Sequence, residues 1–246
     1  MRHAPLYVLL ISLTGCSIKT PFINASQWPG EKRVPYYNSP TPFRIGVLPL
    51  TDQRPDQERQ GQRPHGMFLL LWNRRVGEYY TGDHIFGGQL PARLTDQLVN
   101  SLQGTNTFAE VVALKPPTEF DVNNAKQVSD LGKQEAVDYV LQGDLEHFFG
   151  SQSQHTSIVL LPLYFITTFS WQDSKSLPWG KTAITYRFYD GRTGDMIWRR
   201  LVEADRTLPT DKDAMSEAAM ESFAQGVGQL AAQLRELPLS TMASSQ

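Results

Sequence analysis

The stretch FRIGVLPL at residues 43–50 is an apolar run rich in branched side chains, and Pro49 and Asp52 mark its end. A short apolar run bounded by turn residues is typical of a strand that is buried on both faces of a sheet. We therefore predict the first, central strand here. The polar stretch 51–66 that follows predicts a long loop, and its interleaved arginines and carboxylates favour a solvated loop over a charged docking surface.

Alternating helices and strands are predicted after this run. Leucines recur every four residues over 89–103, which predicts an amphipathic helix. Two further helices are predicted, at 123–135 and 211–237. The other predicted strands are 108–114, 137–149 with Gly143 as a bulge, and a hairpin over 183–202 that turns at 190–194. This order predicts an α/β domain with a mixed sheet of about five strands packed by two or three helices, with apolar elaborations.

Three phrases carry a family resemblance: RIGVLPLTD at 44–52, AVDYVLQGDLE at 136–146 and YRFYDGRTGDMIWRR at 186–200. With the order of elements, they resemble the bacterial outer-membrane lipoproteins whose folded part is akin to the amino-terminal domain of TolB. That group includes curli-secretion lipoproteins and lipoprotein activators of cell-wall synthases. The resemblance covers about residues 43–237, and its motifs are structural, so it implies a fold more than an activity. Trp198 in the last phrase is predicted to pack against the sheet.

The amino terminus MRHAPLYVLLISLTGC has the pattern of a secretory leader, with a basic start, an apolar run and small residues before the single cysteine. The apolar run is shorter than the roughly 20 residues that a membrane-spanning helix needs. Its end resembles the bacterial lipobox. That resemblance implies that the signal peptidase recognises Leu13, Thr14 and Gly15. It also implies that the next residue, Cys16, carries the lipid.

The chemistry of Cys16 fits lipidation, because a thiolate is a strong nucleophile and no second cysteine competes for the lipid. The alternative is a buried cysteine after an ordinary cleaved leader. The residue after Cys16 is Ser17 and not an aspartate. The resemblance to sorted bacterial lipoproteins therefore implies the outer membrane over retention at the inner one, with the domain on the periplasmic face. We divide the chain into a signal peptide (1–15), a lipidated tether (16–42), a single α/β domain (43–237) and a polar tail (238–246).

Composition and motifs limit the function classes. The 246 residues carry 23 basic and 25 acidic side chains, so the net charge of −2 provides no global basic field for nucleic acid. The sequence has no metal-ligand spacing, nucleophile elbow, phosphate loop or dinucleotide fingerprint, and we expect no enzyme, cofactor or metal. Asp83-His84 is the pair best suited to base chemistry, and His147 is predicted to be a hydrogen-bonded, partly buried histidine.

Two apolar stretches depart from the family pattern, MFLLLW at 67–72 and SIVLLPLYFITTFSW at 157–171. They could cover each other and enlarge the core. They could instead form an exposed patch for a protein partner or the lipid interface. As the third interpretation, the resemblance to curli-secretion lipoproteins implies pore-forming hairpins. Pro162 and the nearly continuous apolar run 158–166 argue against this, because strands of such a pore alternate apolar and polar residues.

We therefore expect a lipid-anchored outer-membrane lipoprotein that acts as a structural or assembly accessory. Its membrane contact would be the lipid on Cys16, and it would bind an envelope protein or associate with itself. The alternative is an oligomeric secretion-pore subunit of the curli-secretion type. A glycan hydrolase is a third option, since its two carboxylates would have no sequence signature.

Overall fold

A computed structural model describes residues 35–61, 65–69, 72–163, 166–209 and 214–239, and of residues 65–79 and 154–175 it describes the backbone. Nine strands in these ranges form one sheet. They are β1 (Thr41–Val47), β2 (Thr51–Asp52), β3 (His65–Leu69), β4 (Trp72–Tyr80), β5 (Phe108–Ala113), β6 (Tyr139–Leu163), β7 (Ile166–Lys175), β8 (Trp179–Asp190) and β9 (Met196–Thr207). The helices are α1 (Asp56–Gln60), a 3₁₀ helix (Asp83–Phe86), α2 (Leu90–Gly104), α3 (Ala125–Gln134) and α4 (Met215–Arg235).

The long strand β6 organises the sheet. Its first part lies between β1, which is parallel to it, and β8, which is antiparallel, and β5 and β9 lie beyond those two strands. Its second part is paired instead with β4 and β7, and β3 lies beyond β4. Parallel and antiparallel pairs occur together, so the predicted α/β class with a mixed sheet is confirmed.

The helices cover the two faces of the sheet at its domain end. Side chains of α2 and α4 form the main core with one face, which includes Leu141 and Leu145. Side chains of α3 form a smaller core on the opposite face with Val140. Consecutive strand residues point to opposite faces, which is why Val140 and Leu141 belong to different cores. No helix in the described ranges is long and apolar enough to cross a membrane.

Two glycines bring α4 close to the sheet. Gly150 of β6 and Gly180 of β8 are paired across the strands. A Cβ added at Gly150 would lie 1.8 Å from the carbonyl oxygen of Met215, and one at Gly180 would lie 2.2 Å from that of Ala218. Because no side chain occupies these positions, the first turn of α4 rests directly on the strands.

The predicted bulge in β6 is misplaced. Gly143 pairs regularly with Tyr186, and the irregularity lies between Leu145 and His147. Gly143 serves a packing role instead, because a Cβ there would come within 2.6 Å of a methyl carbon of Leu50. The turn predicted at 190–194 is confirmed, with the carboxylate of Asp190 accepting backbone hydrogen bonds of 2.7 Å from Arg192 and 3.3 Å from Thr193. Trp198 packs partly buried against the main core, as predicted.

The chain enters the sheet at the end where β6 begins. The backbone N–H of Tyr37 donates to the carbonyl of Thr105 at 2.9 Å. The guanidinium of Arg235, at the end of α4, lies 4.2 Å from the centre of the Tyr37 ring. The last residues of the predicted tether therefore contact the domain, at the end where Thr41 starts β1.

Candidate functional site

The described parts of the apolar stretches 67–72 and 157–171 lie in two β-hairpins that extend the sheet. We call β3, β4, β7 and the part of β6 from Ser151 to Leu163 the hairpin pair. Its strands are antiparallel in the order β3-β4-β6-β7. From Ser151 to Leu163 the strand is roughly 40 Å long at about 3.3 Å per residue. The two stretches are neighbours within one sheet layer, so they do not cover each other face to face as the first interpretation assumed.

An ionic cluster holds the base of the first hairpin. Arg54 follows β2 and its side chain is 1% exposed. Its Nε and Nη2 donate to the two carboxylate oxygens of Asp52 at 2.8 Å each. Its Nη1 and Nη2 donate to Asp83 at 2.9 and 3.1 Å. Asp83 opens the 3₁₀ helix after β4, so one guanidinium joins the chain before the hairpin to the chain after it.

Asp52 and Arg54 shift each other's pKa within this cluster. Burial raises the pKa of Asp52, but the hydrogen bonds and the positive charge of Arg54 outweigh burial and hold that pKa below its ordinary value. Burial would lower the pKa of Arg54, and the hydrogen bonds that it donates to Asp52 and Asp83 raise that pKa instead. Asp52 and Arg54 are therefore both charged at neutral pH.

A second contact joins α1 to β6. The Nδ1–H of His147 donates to Glu58 at 2.7 Å, and the backbone N–H of Phe148 donates to the other carboxylate oxygen at 3.2 Å. This carboxylate accepts hydrogen bonds where β6 is irregular. Thr81 adds two further bonds, since its hydroxyl accepts from the N–H of Gly150 at 2.8 Å and its own N–H donates to the Gly150 carbonyl at 3.0 Å.

The base of the second hairpin is also fixed. The backbone N–H of Ser153 donates to the hydroxyl of Ser176 at 2.8 Å, and the N–H of Ser176 donates to the Ser153 carbonyl at 2.9 Å. Three aromatic rings cross the sheet at this level. The ring of Phe149 lies 5.1 Å from that of Tyr80 and 5.5 Å from that of Trp179, in edge-to-face contacts.

These contacts correct the prediction of a solvated loop at 51–66. Arg54 and Glu58 in that stretch are each 3% exposed, and both form hydrogen bonds inside the domain. Their partners Asp83 and His147 lie far away in sequence. The prediction is wrong for these two residues, whereas Asp56, Gln57, Arg59 and Gln60 in the same stretch are exposed. A local reading of composition does not distinguish charges used in a buried network from solvated ones.

Of the pair Asp83-His84, which the sequence favours for base chemistry, Asp83 is part of the ionic cluster. Both carboxylate oxygens of Asp83 accept from Arg54, and the adjacent His84 is exposed. His147 is hydrogen-bonded and partly buried, as predicted. In the described part of the chain, no three His, Cys, Asp or Glu side chains group as a metal site would require. The predicted lipidation site Cys16 and its recognition residues Leu13, Thr14 and Gly15 lie outside the described residues.

Comparison with known proteins adds structural neighbours. No family model matches the sequence, and no curated protein matches it. Similar solved structures include a DUF330-family protein from Xanthomonas campestris, at 16% identity, covering 87% of this chain and 94% of that one with a TM-score of 0.44. The PelC dodecamer from Paraburkholderia phytofirmans is 12% identical, and the match covers 80% of this chain and 94% of that one with a TM-score of 0.39. Lipoprotein GNA1162 from Neisseria meningitidis is also 12% identical, and the match covers 83% of this chain and 100% of that one with a TM-score of 0.33.

Proposed function

We propose that the protein is a lipid-anchored outer-membrane accessory on the periplasmic face that binds another envelope component through the hairpin pair. The hairpin pair itself is the observation that carries this proposal. The main core is formed by α2, α4 and the domain part of the sheet. The hairpins extend beyond that core and end in the apolar stretches 67–72 and 157–171. Large apolar surfaces outside a core are typical of interaction sites.

The base of the hairpin pair supports this role. Arg54, Glu58 and Thr81 fix the first hairpin to the domain, and Ser176 fixes the second. A binding element that is ordered before it meets its partner loses less conformational entropy on binding. In this proposal the protein has no catalytic role, and Asp83 serves the hairpin base.

A second candidate is the oligomeric secretion-pore subunit, and the edges of the hairpin pair favour it. Within the described residues, β3 pairs with β4 alone and β7 pairs with β6 alone, so both outer strands have a free edge. The chain runs toward the turn in β3 and away from the turn in β7. The β7 edge of one copy could therefore join the β3 edge of the next in an antiparallel arrangement.

Site-specific photo-cross-linking in cells tests the proposal. A photoreactive residue would replace Phe169 in β7 or, as a matched control, Gln225, an exposed residue of α4. We expect a discrete adduct with a protein or a phospholipid from position 169 and none from position 225. Adducts equal at both positions, or absent from both, would overturn the proposal. A ladder of self-adducts from position 169 alone would establish the second candidate instead.

Metabolic labelling with palmitate tests the anchor. We expect the wild-type chain to incorporate the label and Cys16→Ala to lose it, because Cys16 supplies the thiol that takes the lipid. Ser17→Ala is the matched control and should remain labelled. A labelled Cys16→Ala protein would contradict the assignment.

A further inference from the structure

The strand register sorts the residues of the hairpin pair into bands. Toward the turns, the paired positions are mostly apolar, as in Leu160 with Phe169 and Leu163 with Ile166. The next band holds two tryptophans. Trp72 pairs with Val159, and Trp171 pairs with Ile158, so they lie one register step apart although 99 positions separate them in the chain (171 − 72).

A charged band follows on the side of the domain. Arg74 pairs with Ser157 and Arg75 with Thr156, directly below the tryptophan level. Asp173 of β7 also pairs with Thr156, so this band carries two positive charges and one negative charge. Closer to the domain, the strands carry charged residues of both signs, including Lys175 and Glu78.

The order of the bands, from apolar residues through tryptophan to basic residues, is the order found in proteins that enter a lipid interface. Apolar residues enter the acyl chains, tryptophan is enriched at the level of the headgroups, and basic residues bind anionic headgroups. We propose that the tips of the hairpin pair insert into one leaflet of a lipid bilayer, with Arg74 and Arg75 at the headgroup level. The inference rests on the proposed function and names a lipid leaflet as the component that the tips bind.

The length of the apolar band limits the depth of insertion. From Ile158 to Leu163 the strand rises roughly 17 Å, and from Met67 to Leu69 it rises roughly 7 Å. The hydrocarbon core is about 30 Å thick, and a strand that crosses it needs about 9–11 residues. The second hairpin is thus long enough for one leaflet of about 15 Å, and the first enters less deeply.

Vesicle flotation tests the inference with the mature chain from Ser17, which lacks the lipid but keeps every described residue. Vesicles are either neutral phosphatidylcholine or contain 30% phosphatidylglycerol. We expect binding that is stronger on the anionic vesicles. Arg74→Gln with Arg75→Gln should weaken it roughly 30-fold on those vesicles, since each basic residue near an anionic surface contributes about fivefold to binding. Arg199→Gln with Arg200→Gln, which removes two exposed arginines from β9, should change it less than twofold.

Quenching of tryptophan fluorescence by brominated acyl chains tests the depth. We expect quenching in the bound wild-type chain, loss of that quenching in Trp72→Phe with Trp171→Phe, and no loss in Trp198→Phe, which changes a domain tryptophan. Absence of flotation, or quenching that persists in the double variant, would overturn the leaflet inference. Protein adducts from position 169 in cells would then still support the accessory function, so the two failures are distinguishable.

Discussion

At the scale of single residues, Arg54 is the group on which the hairpin base depends. It is buried between Asp52 and Asp83, both of which retain partial contact with water. We expect Arg54→Met to lower the free energy of unfolding by about 2 kcal/mol. This is less than the loss for a fully buried pair, because the two carboxylates can be rehydrated. Urea denaturation followed by circular dichroism measures the change.

The control for this prediction is Arg59→Met. Arg59 pairs with Asp56 within α1, and both side chains are exposed. Exposed pairs of this kind contribute little, so the free energy of unfolding should change by less than about 0.5 kcal/mol. Equal losses in the Arg54 and Arg59 variants would contradict the special role of Arg54.

The same cluster predicts a pH dependence. The pKa of Asp52 is lower in the folded chain than its ordinary value, mainly because Arg54 outweighs the effect of burial. The stabilisation is therefore fully present above the ordinary carboxyl pKa of about 3.9 and is lost as the pH falls through the lowered value. Unfolding measured between pH 5 and pH 2.5 should show a smaller acid-dependent loss in Asp52→Asn than in the wild type. An unchanged slope would contradict this assignment.

At the scale of elements, the two strand glycines decide how α4 meets the sheet. Gly180→Ala would place a Cβ 2.2 Å from the backbone of Ala218, so we expect a loss of about 1–3 kcal/mol in the free energy of unfolding. Gly226 lies within α4, and a Cβ there would meet its nearest neighbour at 3.8 Å. Gly226→Ala should therefore stabilise the protein by about 0.5–1 kcal/mol through helix propensity. Thermal unfolding of both variants tests these two predictions. Destabilisation by Gly226→Ala as well as by Gly180→Ala would contradict them.

Elements with a strong local pattern could be predicted from the sequence. The leucine repeat of α2 and the turn at 190–194 are examples, because the residues that determine them are neighbours in the chain. The register of the hairpin pair could not be predicted in this way. It aligns Trp72 with Val159, and no periodicity within either stretch encodes that pairing. The roles of Arg54 and Glu58 were missed for the same reason, since their partners lie in other elements.

At the scale of the whole molecule, the sheet has two structurally different ends. The chain enters at Thr41, beside the start of β6, and the hairpin tips lie at the other end of that strand. A straight strand from the level of Thr41 to that of Ile158 would measure roughly 75 Å. From Cys16 to Pro35 the covalent chain can span at most roughly 65 Å.

This polarity predicts that the lipidated protein connects two bilayers. Reconstituted through its lipid into one set of vesicles, it should capture a second, fluorescently labelled set that contains anionic lipid. The Arg74→Gln, Arg75→Gln variant should capture far fewer, and the Arg199→Gln, Arg200→Gln variant should match the wild type. Tip insertion into the anchoring vesicle, with no capture of the second set, would contradict the prediction.

The pairing of β6 with β4 and β7 also limits how deletions or insertions can change the length of the hairpin pair. Only changes in discrete steps keep its strands in register. Removing one residue from each strand would exchange the two faces of the sheet beyond that point, whereas removing two preserves them. Each permitted change therefore alters the distance between the domain and the tips by about 7 Å. The reach of the tips from the domain is therefore quantised in increments set by the strand repeat.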